Sequence, residues 1–160
     1  MHPNAELLRD FYSAFASGDH ATMAQSYAGD ASFKDPVFKD LNAEEVRAMW
    51  EMFCTSGNDV DVTFGGIEAD DTRGSAKWEA VYAFPKTGRK VHNKIEASFE
   101  FADGKISRHT DSFDFYKWTR MALGPVGTIL GWTPIVQNQV RSQAKSQLDR
   151  FRAEGPAASS

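Results

Sequence analysis

The fold of this chain is decided by residues 91–115, which read VHNKIEASFEFADGKISRHTDSFDF. From Val91 to Phe101 the odd positions are mainly apolar, and the even positions are polar or charged. Such alternation is typical of a strand that buries one face. After Asp103-Gly104, a pair that favours a tight turn, aromatic residues return at odd positions up to Phe115. The stretch therefore predicts an antiparallel hairpin in which odd-numbered residues share the buried face.

The length of the turn sets which residues of the two strands face each other. Facing residues must share parity if both odd faces are to be buried, so we expect a three-residue loop, 102–104, with Gly104 left-handed. The facing pairs are then Phe101 with Lys105, Ala97 with His109, Ile95 with Asp111, and Asn93 with Phe113. An imidazole and a carboxylate, those of His109 and Asp111, thus stand in an aromatic-rich surface, where buried polar groups need partners.

Two further strands precede this hairpin. Residues 60–64 alternate apolar with polar, and the even positions from Trp78 to Phe84 form a buried face. With Thr87-Gly88 at the centre of the next turn, the facing pairs are Trp78 with Ala97, Ala80 with Ile95, and Tyr82 with Asn93. The chain therefore predicts a four-stranded antiparallel meander.

Helical signals dominate the beginning of the chain. We expect Asn4 to cap a first helix that carries an aromatic stripe and ends at Gly18. Asp19 then caps a shorter second helix in which Tyr27 points inward. These two elements would form a helical hairpin.

A short strand and a third helix complete this first half. The strand, 31–34, runs into Asp35-Pro36, where proline ends regular pairing. Asn42 and Glu45 have the spacing of a capping box, which opens the third helix. Helices that precede an antiparallel meander indicate an α+β fold.

The last part of the chain reads as an extension of this domain. Glycines and a proline between residues 124 and 131 predict a flexible or tightly turned loop, and Thr133-Pro134 begins an amphipathic helix. We expect four apolar residues of the loop to cover the pocket mouth or the sheet as a lid: Leu123, Ile129, Leu130 and Trp132. The expected organisation is a domain over 1–118, a packed loop and helix over 119–153, and a disordered tail over 154–160.

Composition excludes several classes of protein. The 160 residues carry a formal net charge of −4 without a Lys/Arg cluster, which argues against nucleic acid or an anionic membrane as partner. The lone cysteine, Cys54, excludes a disulfide framework and a thiol zinc site. The chain shows no signal-peptide pattern and no apolar run of membrane-spanning length, so we expect a cytoplasmic protein. Small molecules or other proteins remain as partners.

The order of these elements resembles the nuclear-transport-factor-2-like fold, and most of all its ketosteroid-isomerase and SnoaL-like branch. The motifs that carry the resemblance span about residues 5–118, and they are Ser17-Gly18-Asp19, 31–37, Gly88-Arg89-Lys90 and 103–106. The resemblance implies a cone in which a curved sheet wraps the first helix around a deep apolar pocket. It also implies a homodimer formed through the sheet. Such motifs identify a fold better than a reaction.

The resemblance also suggests candidate catalytic residues. Asp35 matches the general base of the isomerases, but their two oxyanion donors fall at Phe11 and Ala97, so a steroid-isomerase mechanism is disfavoured. SnoaL-like cyclases and epoxide hydrolases use pocket carboxylates with polar partners. We therefore interpret Asp35 or Asp111 as a proton acceptor, and His109 as the group that orients it or donates a proton.

The remaining candidates line the expected pocket. We predict a wall formed by Phe11, Phe15, Trp50, Trp78, Tyr82, Asn93, Ala97 and Phe113. No cofactor is implied, and His109 with Asp111 alone is a weak metal signature, so no metal is expected. The structural alternatives are that Asp35 bonds the backbone of its turn, and that His109 and Asp111 form a buried polar pair.

Three functions from different classes fit this sequence. The first is a cofactor-independent acid-base enzyme, an isomerase, cyclase or hydratase, acting on a small apolar molecule. The second is a carrier or sensor of such a molecule, with its carboxylates already bonded to backbone. The third is an interaction module, for which an exposed apolar face in the C-terminal extension would be the sign.

Overall fold

The computed structural model describes residues 1–57 and 59–158, with side chains as far as Glu154. Its helices are α1 (Pro3–Ser17), α2 (His20–Gln25), α3 (Ala43–Thr55), α4 (Phe115–Leu123), α5 (Pro125–Leu130) and α6 (Pro134–Ala158). Its strands are β1 (Tyr27–Lys34), β2 (Leu41–Asn42), β3 (Asp61–Ala69), β4 (Arg73–Ala83), β5 (Lys90–Ala102) and β6 (Lys105–Ser112).

The described strands form one curved sheet in the order β2-β1-β6-β5-β4-β3. From β3 to β6 the strands form the antiparallel meander that the sequence predicts. Strand β1 then joins the free side of β6 in parallel, and β2 pairs with β1 in the antiparallel sense. The α+β prediction is confirmed, and the parallel β1–β6 pair brings the chain near Asp35 beside the end of the meander.

The main core lies between this sheet and helices α1 and α3. Along β5 every odd position is buried and every even position is exposed, so the predicted face is confirmed. The largest fully buried side chains come from both layers, and they include Leu8, Phe11, Tyr12, Phe33, Met49, Trp50 and Ile106. Aromatic rings from helices and strands therefore share one interior.

The β5–β6 hairpin differs from its predicted register by two residues. The turn has two residues, because Ala102 pairs with Lys105 and both Asp103 and Gly104 take positive φ, 52° and 75°. A bulge at Ser107 then adds one residue to β6. Before the bulge the predicted face is wrong, because Ile106, at an even position, is fully buried and Lys105 is exposed. The extra residue restores the parity, so from Arg108 onward the buried face is right although the partners are wrong.

The corrected pairs change the residues that face the two polar side chains. Phe99 faces His109, and Ala97 faces Asp111. Strand β6 ends at Ser112, so Phe113 lies outside the strand and does not pair with Asn93. Across the next strand the register is also shifted by two: Trp78 pairs with Ile95, Ala80 with Asn93, and Tyr82 with Val91. The cause is that the connection over 84–89 is centred on Lys86-Thr87 and not on Thr87-Gly88.

The helix ends follow most of the sequence signals. Gly18 ends α1 with φ 77°, Asp19 caps α2, and Asn42 with Glu45 forms a complete capping box on α3. The cap of α1 is His2, not Asn4. Asn4 is instead buried, and its side chain donates to the carbonyls of Asp70 and Asp71 at 2.9 and 3.3 Å.

The second helix ends earlier than expected, and this changes the position of Tyr27. Helix α2 stops at Gln25, and Tyr27 is the first residue of β1, where it is buried. Strand β1 is accordingly longer than the predicted 31–34 segment. The helical placement of Tyr27 was wrong, and the strand carries its side chain into the core.

The extension after residue 114 is helical, and the prediction of a loop was wrong. Helices α4 and α5 pack so closely that a Cβ added at Gly127 would lie 1.9 Å from the carbonyl oxygen of Thr119. A Cβ at Gly131 would lie 2.0 Å from Oγ1 of the same threonine. These glycines therefore permit a close helix contact instead of a flexible loop.

The expected lid does not form. Ile129 and Trp132 are 68% and 66% exposed, and Leu130 is also exposed. Only Leu123 packs inward, against a small second core made by Val91, Phe115, Trp118 and Ala122. Neighbouring Val126 and Ile135 are exposed as well, so these helices present an apolar surface, named here the α5–α6 surface: Val126, Ile129, Leu130, Trp132 and Ile135.

The final helix matches its predicted stripe. Leu148 is fully buried, and Val136, Val140, Ala144 and Phe151 are half-buried. The tail expected over 154–160 is helical as far as Ala158, and residues 159–160 lie outside the described chain. Within the described residues no helix has both the length and the apolar character needed to cross a bilayer.

Candidate functional site

The centre of the candidate site is the pair formed by His109 and Asp111. Both occupy odd positions of β6 and therefore point into the core, where they are 0% and 4% exposed. Nε2 of His109 lies 2.8 Å from Oδ1 of Asp111, within hydrogen-bond distance. The two polar groups, which the sequence predicted to be buried, are thus hydrogen-bonded to each other.

Two more side chains extend this pair into a chain of hydrogen bonds. Trp50 on α3 donates its indole N–H to the hydroxyl oxygen of Tyr27 at 2.8 Å. The same hydroxyl lies 2.8 Å from Nδ1 of His109. The chain therefore runs from Trp50 through Tyr27 and His109 to Asp111.

The direction of these bonds follows from the one group that can only donate. An indole N–H has no acceptor role, so Tyr27 accepts from Trp50 and its own proton is left for Nδ1 of His109. With this direction Nδ1 of His109 accepts from Tyr27, which assigns an imidazole proton to Nε2. His109 consequently donates to Asp111 through Nε2–H, and its main effect is to fix the orientation of that carboxylate.

Aromatic rings surround the imidazole on every neighbouring element. Ring centroids lie between 4.3 and 6.3 Å from the imidazole centroid, and they belong to Phe99, Phe33, Phe11, Tyr27 and Trp50. Such surroundings exclude water and disfavour charge on buried groups. Burial accordingly raises the pKa of the Tyr27 hydroxyl well above its usual range, so this residue stays a hydrogen-bond donor.

Asp35 reaches the same region from β1. In the parallel β1–β6 register Phe33 pairs with His109 and Lys34 with Thr110, so Asp35 follows at the level of Asp111. Oδ1 of Asp35 accepts from the backbone N–H groups of Val37 and Phe38 at 2.7 and 2.6 Å. The turn-forming role weighed in the sequence analysis is therefore real.

The electrostatics of Asp35 differ from those of an ordinary turn residue. Burial of the carboxyl group raises its pKa from 3.8 to about 7, and repulsion from Asp111 adds to the rise against the opposing backbone hydrogen bonds. A carboxyl group with such a pKa exchanges protons readily at neutral pH. Asp35 is thus both a turn residue and a group able to accept or donate a proton.

The residues predicted to line a pocket fall into two groups. Phe11, Phe15, Trp50, Trp78 and Ala97 are buried in the main core. Tyr82 and Phe113 are half-buried between the two cores, while Asn93 is buried on β5 beside Ala80. The first group contacts the aromatic surroundings of His109, and the second lies along the sheet toward α4. In the described chain Trp118 of α4 donates its indole N–H to the Tyr82 hydroxyl at 2.8 Å.

Two of these predicted residues also border a groove. A space of about 440 Å³ opens where the chain leaves β6, at the last pair between Glu96 and Ser112. Its lining comes from three neighbouring segments of the sheet: Lys77, Trp78, Glu79, Lys94, Ile95, Glu96, Ser112, Phe113 and Asp114. Trp78 therefore takes part both in the groove and in the aromatic interior. No cluster of three or more His, Cys, Asp or Glu in the described residues could hold a metal ion.

Tyr27 was not predicted to be a member of the site. It had been assigned to the second helix, and its hydrogen bond to His109 joins residues 82 positions apart in the chain. The signal that could have found it is the spacing of Tyr27, Ala31 and Phe33, which are all buried along β1. The role of the Trp50 indole N–H had no signal in the sequence, because it depends on where α3 packs.

Comparisons with known proteins agree with this architecture. The family model of the SnoaL-like domain matches residues 8–109, which is more than half of the chain. The search of curated proteins finds no match. The family match includes Asp35 and His109, and it ends just before Asp111.

Solved structures similar to this chain include proteins linked to several reactions. An LEH-like epoxide hydrolase of M. tuberculosis superposes with a TM-score of 0.64 at 18% identity, covering 81% of this chain and 96% of that one. Wild-type IdmH of Streptomyces antibioticus, a candidate polyketide cyclase, has a TM-score of 0.62 at 20% identity, covering 75% and 98%. TerC, crystallised with polyporic acid, has a TM-score of 0.62 at 15% identity, covering 74% and 97%. At these identities the likeness shows the fold alone.

Proposed function

The chain belongs to the SnoaL-like family, and from this premise we propose that it is a cofactor-independent acid-base enzyme acting on a small apolar molecule. The observation that carries the proposal is the placement of Asp35, with a pKa of about 7, beside the buried His109–Asp111 pair. Similar structures include an epoxide hydrolase and a candidate polyketide cyclase, which fits a reaction of the isomerisation, cyclisation or hydration type.

The proposed proton acceptor is Asp35. Near neutral pH a substantial fraction of this carboxyl group is ionised and the rest is protonated, which suits a group that takes a proton and returns it. In the ionised form it removes a proton from a carbon beside a carbonyl. The C–H electron pair forms a carbon–carbon double bond, the π pair of the carbonyl group moves onto its oxygen, and an enolate results. Protonated Asp35 then returns the proton to the same or another carbon.

Asp111 and His109 have supporting roles in this proposal. The Asp111 carboxylate repels charge on Asp35 and so helps to keep its pKa high. His109 holds that carboxylate in place through Nε2, because its other nitrogen is occupied by Tyr27. General acid-base catalysis of this kind contributes about 10²- to 10⁴-fold.

The test is exchange of carbon-bound hydrogen in deuterium oxide, followed by NMR with a panel of small apolar ketones and enones. We expect the wild-type protein to speed exchange of some member by about 10²-fold or more over buffer, and Asp35→Asn to remove this acceleration. Asp30→Asn, at an exposed position of β1, is the matched control and should behave as wild type. Small apolar epoxides, tested in parallel, report hydrolysis by formation of diols.

The outcomes separate the enzyme from a carrier. Binding of a panel member that stabilises wild type and Asp35→Asn equally, without exchange or hydrolysis, would contradict the enzyme and support the carrier. The hydrogen bonds from the Val37 and Phe38 amides to Asp35 are the feature that favours this alternative.

A second candidate function is self-association through the α5–α6 surface. Five large apolar side chains within residues 126–135 are exposed together, which is unusual for the surface of a monomer. Sedimentation velocity of wild type against Ile135→Ser tests this role, with exposed Gln139→Ser as the control. Loss of a dimer only in Ile135→Ser would support it, and an unchanged dimer would assign the contact to another face.

A further inference from the structure

Two buried hydrogen-bond donors in the interior have no partner. They are the hydroxyl of Tyr12 on α1 and the indole N–H of Trp78 on β4. Tyr12 is fully buried, and Trp78 is 8% exposed. Native proteins pair nearly all such groups, because leaving one unpaired costs about 1–3 kcal/mol. Two unpaired donors in one core therefore need an explanation.

The two donors belong to neighbouring rings packed among other aromatic rings. The ring centroids of Tyr12 and Trp78 are 6.1 Å apart. Phe64 stacks on Tyr12 at 5.6 Å, and Phe15 meets Trp78 edge to face at 5.4 Å. These phenyl rings provide contact area but no lone pair. The nearby Trp50 indole is already committed to Tyr27.

We propose that the Tyr12 hydroxyl and the Trp78 indole N–H form a recognition site for an acceptor oxygen of the ligand, the carbonyl oxygen of an apolar ketone, enone or quinone. An indole N–H can only donate, so the ligand atom it meets must accept. The aromatic neighbours favour an uncharged and flat ligand body. This inference rests on the proposed function and specifies the substrate class for the same site.

The site adjoins the acid-base groups. The Trp50 ring lies 6.3 Å from both Trp78 and the His109 imidazole, so one aromatic ring separates the two places. Phe11 similarly contacts Tyr12 at 5.1 Å and His109 at 5.9 Å. Trp78 also borders the groove at the end of β6.

Tyr12 remains protonated in this environment. Burial raises the pKa of its hydroxyl well above the usual range, and the negative charge of Asp111 raises it further. A neutral hydroxyl donates one hydrogen bond to the carbonyl oxygen in the ground state. When Asp35 takes a proton from the adjacent carbon, the electron pair moves to that oxygen, and hydrogen bonds to the resulting enolate are stronger.

Tyr12 and Trp78 could replace the oxyanion donors that this sequence lacks at the positions used by the isomerases. The positions of the oxyanion donors in the isomerases are occupied here by Phe11 and Ala97, neither of which can donate from its side chain. Tyr12 and Trp78 supply a different pair of donors from α1 and β4. The interior thus holds a proton acceptor and two hydrogen-bond donors for the carbonyl oxygen, and enolate formation requires both.

The test compares two probes that differ only in a carbonyl group, α-tetralone and tetralin, by calorimetry or fluorescence titration. Wild type should bind α-tetralone about tenfold more tightly than tetralin, because two neutral hydrogen bonds favour the ketone. Tyr12→Phe should lower this preference about fivefold and leave the affinity for tetralin unchanged. Tyr116→Phe, which removes a hydroxyl on α4 that already donates to the carbonyl of Thr128, should keep the preference.

A second measurement needs no ligand. Tyr12→Phe removes an unpaired buried hydroxyl and should raise the unfolding temperature of the unliganded protein by a few degrees. Tyr27→Phe removes a paired hydroxyl and should lower it. An equal preference of wild type for both probes, failure of wild type to bind either, or a lowered unfolding temperature of Tyr12→Phe would overturn the inference.

These results are separable from those for the enzyme. If the carbonyl preference depends on Tyr12 but no hydrogen exchange occurs, the recognition site stands and the enzyme does not. If hydrogen exchange depends on Asp35 but the preference for α-tetralone is the same in Tyr12→Phe, the enzyme proposal stands and the recognition site does not.

Discussion

Apolar side chains are usually buried and polar ones exposed, and two regions of this protein depart from that rule in opposite ways: the interior and the C-terminal helices. Inside, His109, Asp111, Tyr27 and Tyr12 place polar atoms among aromatic rings. Outside, the α5–α6 surface places large apolar side chains in water. Either arrangement costs free energy, and natural proteins keep such features where they bind something. The contrast suggests a small molecule for the interior and a protein surface for the exterior.

The largest loss of stability is expected from removing Asp111, the last member of the hydrogen-bonded chain that runs from Trp50 through Tyr27 and His109. Asp111→Ala leaves Nε2–H of His109 buried without an acceptor, so we expect the free energy of unfolding to fall by about 3 kcal/mol. Asp111→Asn keeps an oxygen that accepts this proton and should lose about half as much. Urea unfolding of both variants checks the order. Equal losses would show that His109 does not donate to this position.

Removing the middle of the chain should have the next largest effect. Tyr27→Phe deprives both the Trp50 indole N–H and Nδ1 of His109 of their partner, and we expect a loss of about 2 kcal/mol. It should also free the tautomer of His109, because the proton that held Nδ1 as an acceptor is gone. Nitrogen-15 NMR of the imidazole reports this, and an unchanged Nε2–H tautomer would contradict the assigned direction of the bonds.

The pH dependence of stability should show the raised pKa of Asp35. Its pKa is about 7 in the folded protein and 3.8 without the fold, so between these values the folded state holds a proton that the unfolded state lacks. The contribution of Asp35 is therefore fully present at about pH 4 or below and is lost as the pH rises through about 7.

Asp35→Asn tests this sign. Its amide oxygen can accept the same backbone N–H groups without charge, so at about pH 8 the variant should be more stable than wild type by about 1–2 kcal/mol. This figure is lower than the full pKa shift implies, because Asp35 is half-buried. At about pH 4 the difference should vanish. Thermal unfolding across this range measures it, and a variant less stable than wild type at every pH would make Asp35 purely structural.

The smallest change in stability is expected at the exterior. Ile135 is 80% exposed, so Ile135→Ser should alter the free energy of unfolding by less than about 0.5 kcal/mol. It should nevertheless reduce binding of a hydrophobic dye to the native protein. A large loss of stability would instead show that the α5–α6 surface is covered within the folded chain.

The sequence predicted the buried faces better than the partners. Alternation along β5 gave the right face for Ala97 and Phe99, because a two-residue period depends only on which side of the sheet is buried. Which residues of β5 and β6 face each other depends on the length of the turn and on the bulge at Ser107. The sequence around Ser107 carries no signal for this bulge. Beyond the bulge the error of two residues kept His109 and Asp111 on their predicted face, whereas before the bulge Ile106, at an even position, is buried.

The site was predictable only where one element supplied it. His109 and Asp111 share a strand, so their spacing alone indicated a pair. Tyr27 and Trp50 come from other elements, and their hydrogen bonds depend on how α3 and β1 pack. The lid was misplaced for a related reason: glycines that suggested a loop instead allow α5 to approach Thr119 on α4.

The most direct measurement of the central claim is the titration of the Asp35 carboxyl group, followed by its carbon-13 chemical shift from about pH 3 to about pH 9. The proposed acid-base role predicts a midpoint of about 7, and a lower midpoint in Asp111→Asn, where the repelling charge is removed. A midpoint near 3.8 in wild type would contradict the proposal, because Asp35 would then be an ordinary turn carboxylate.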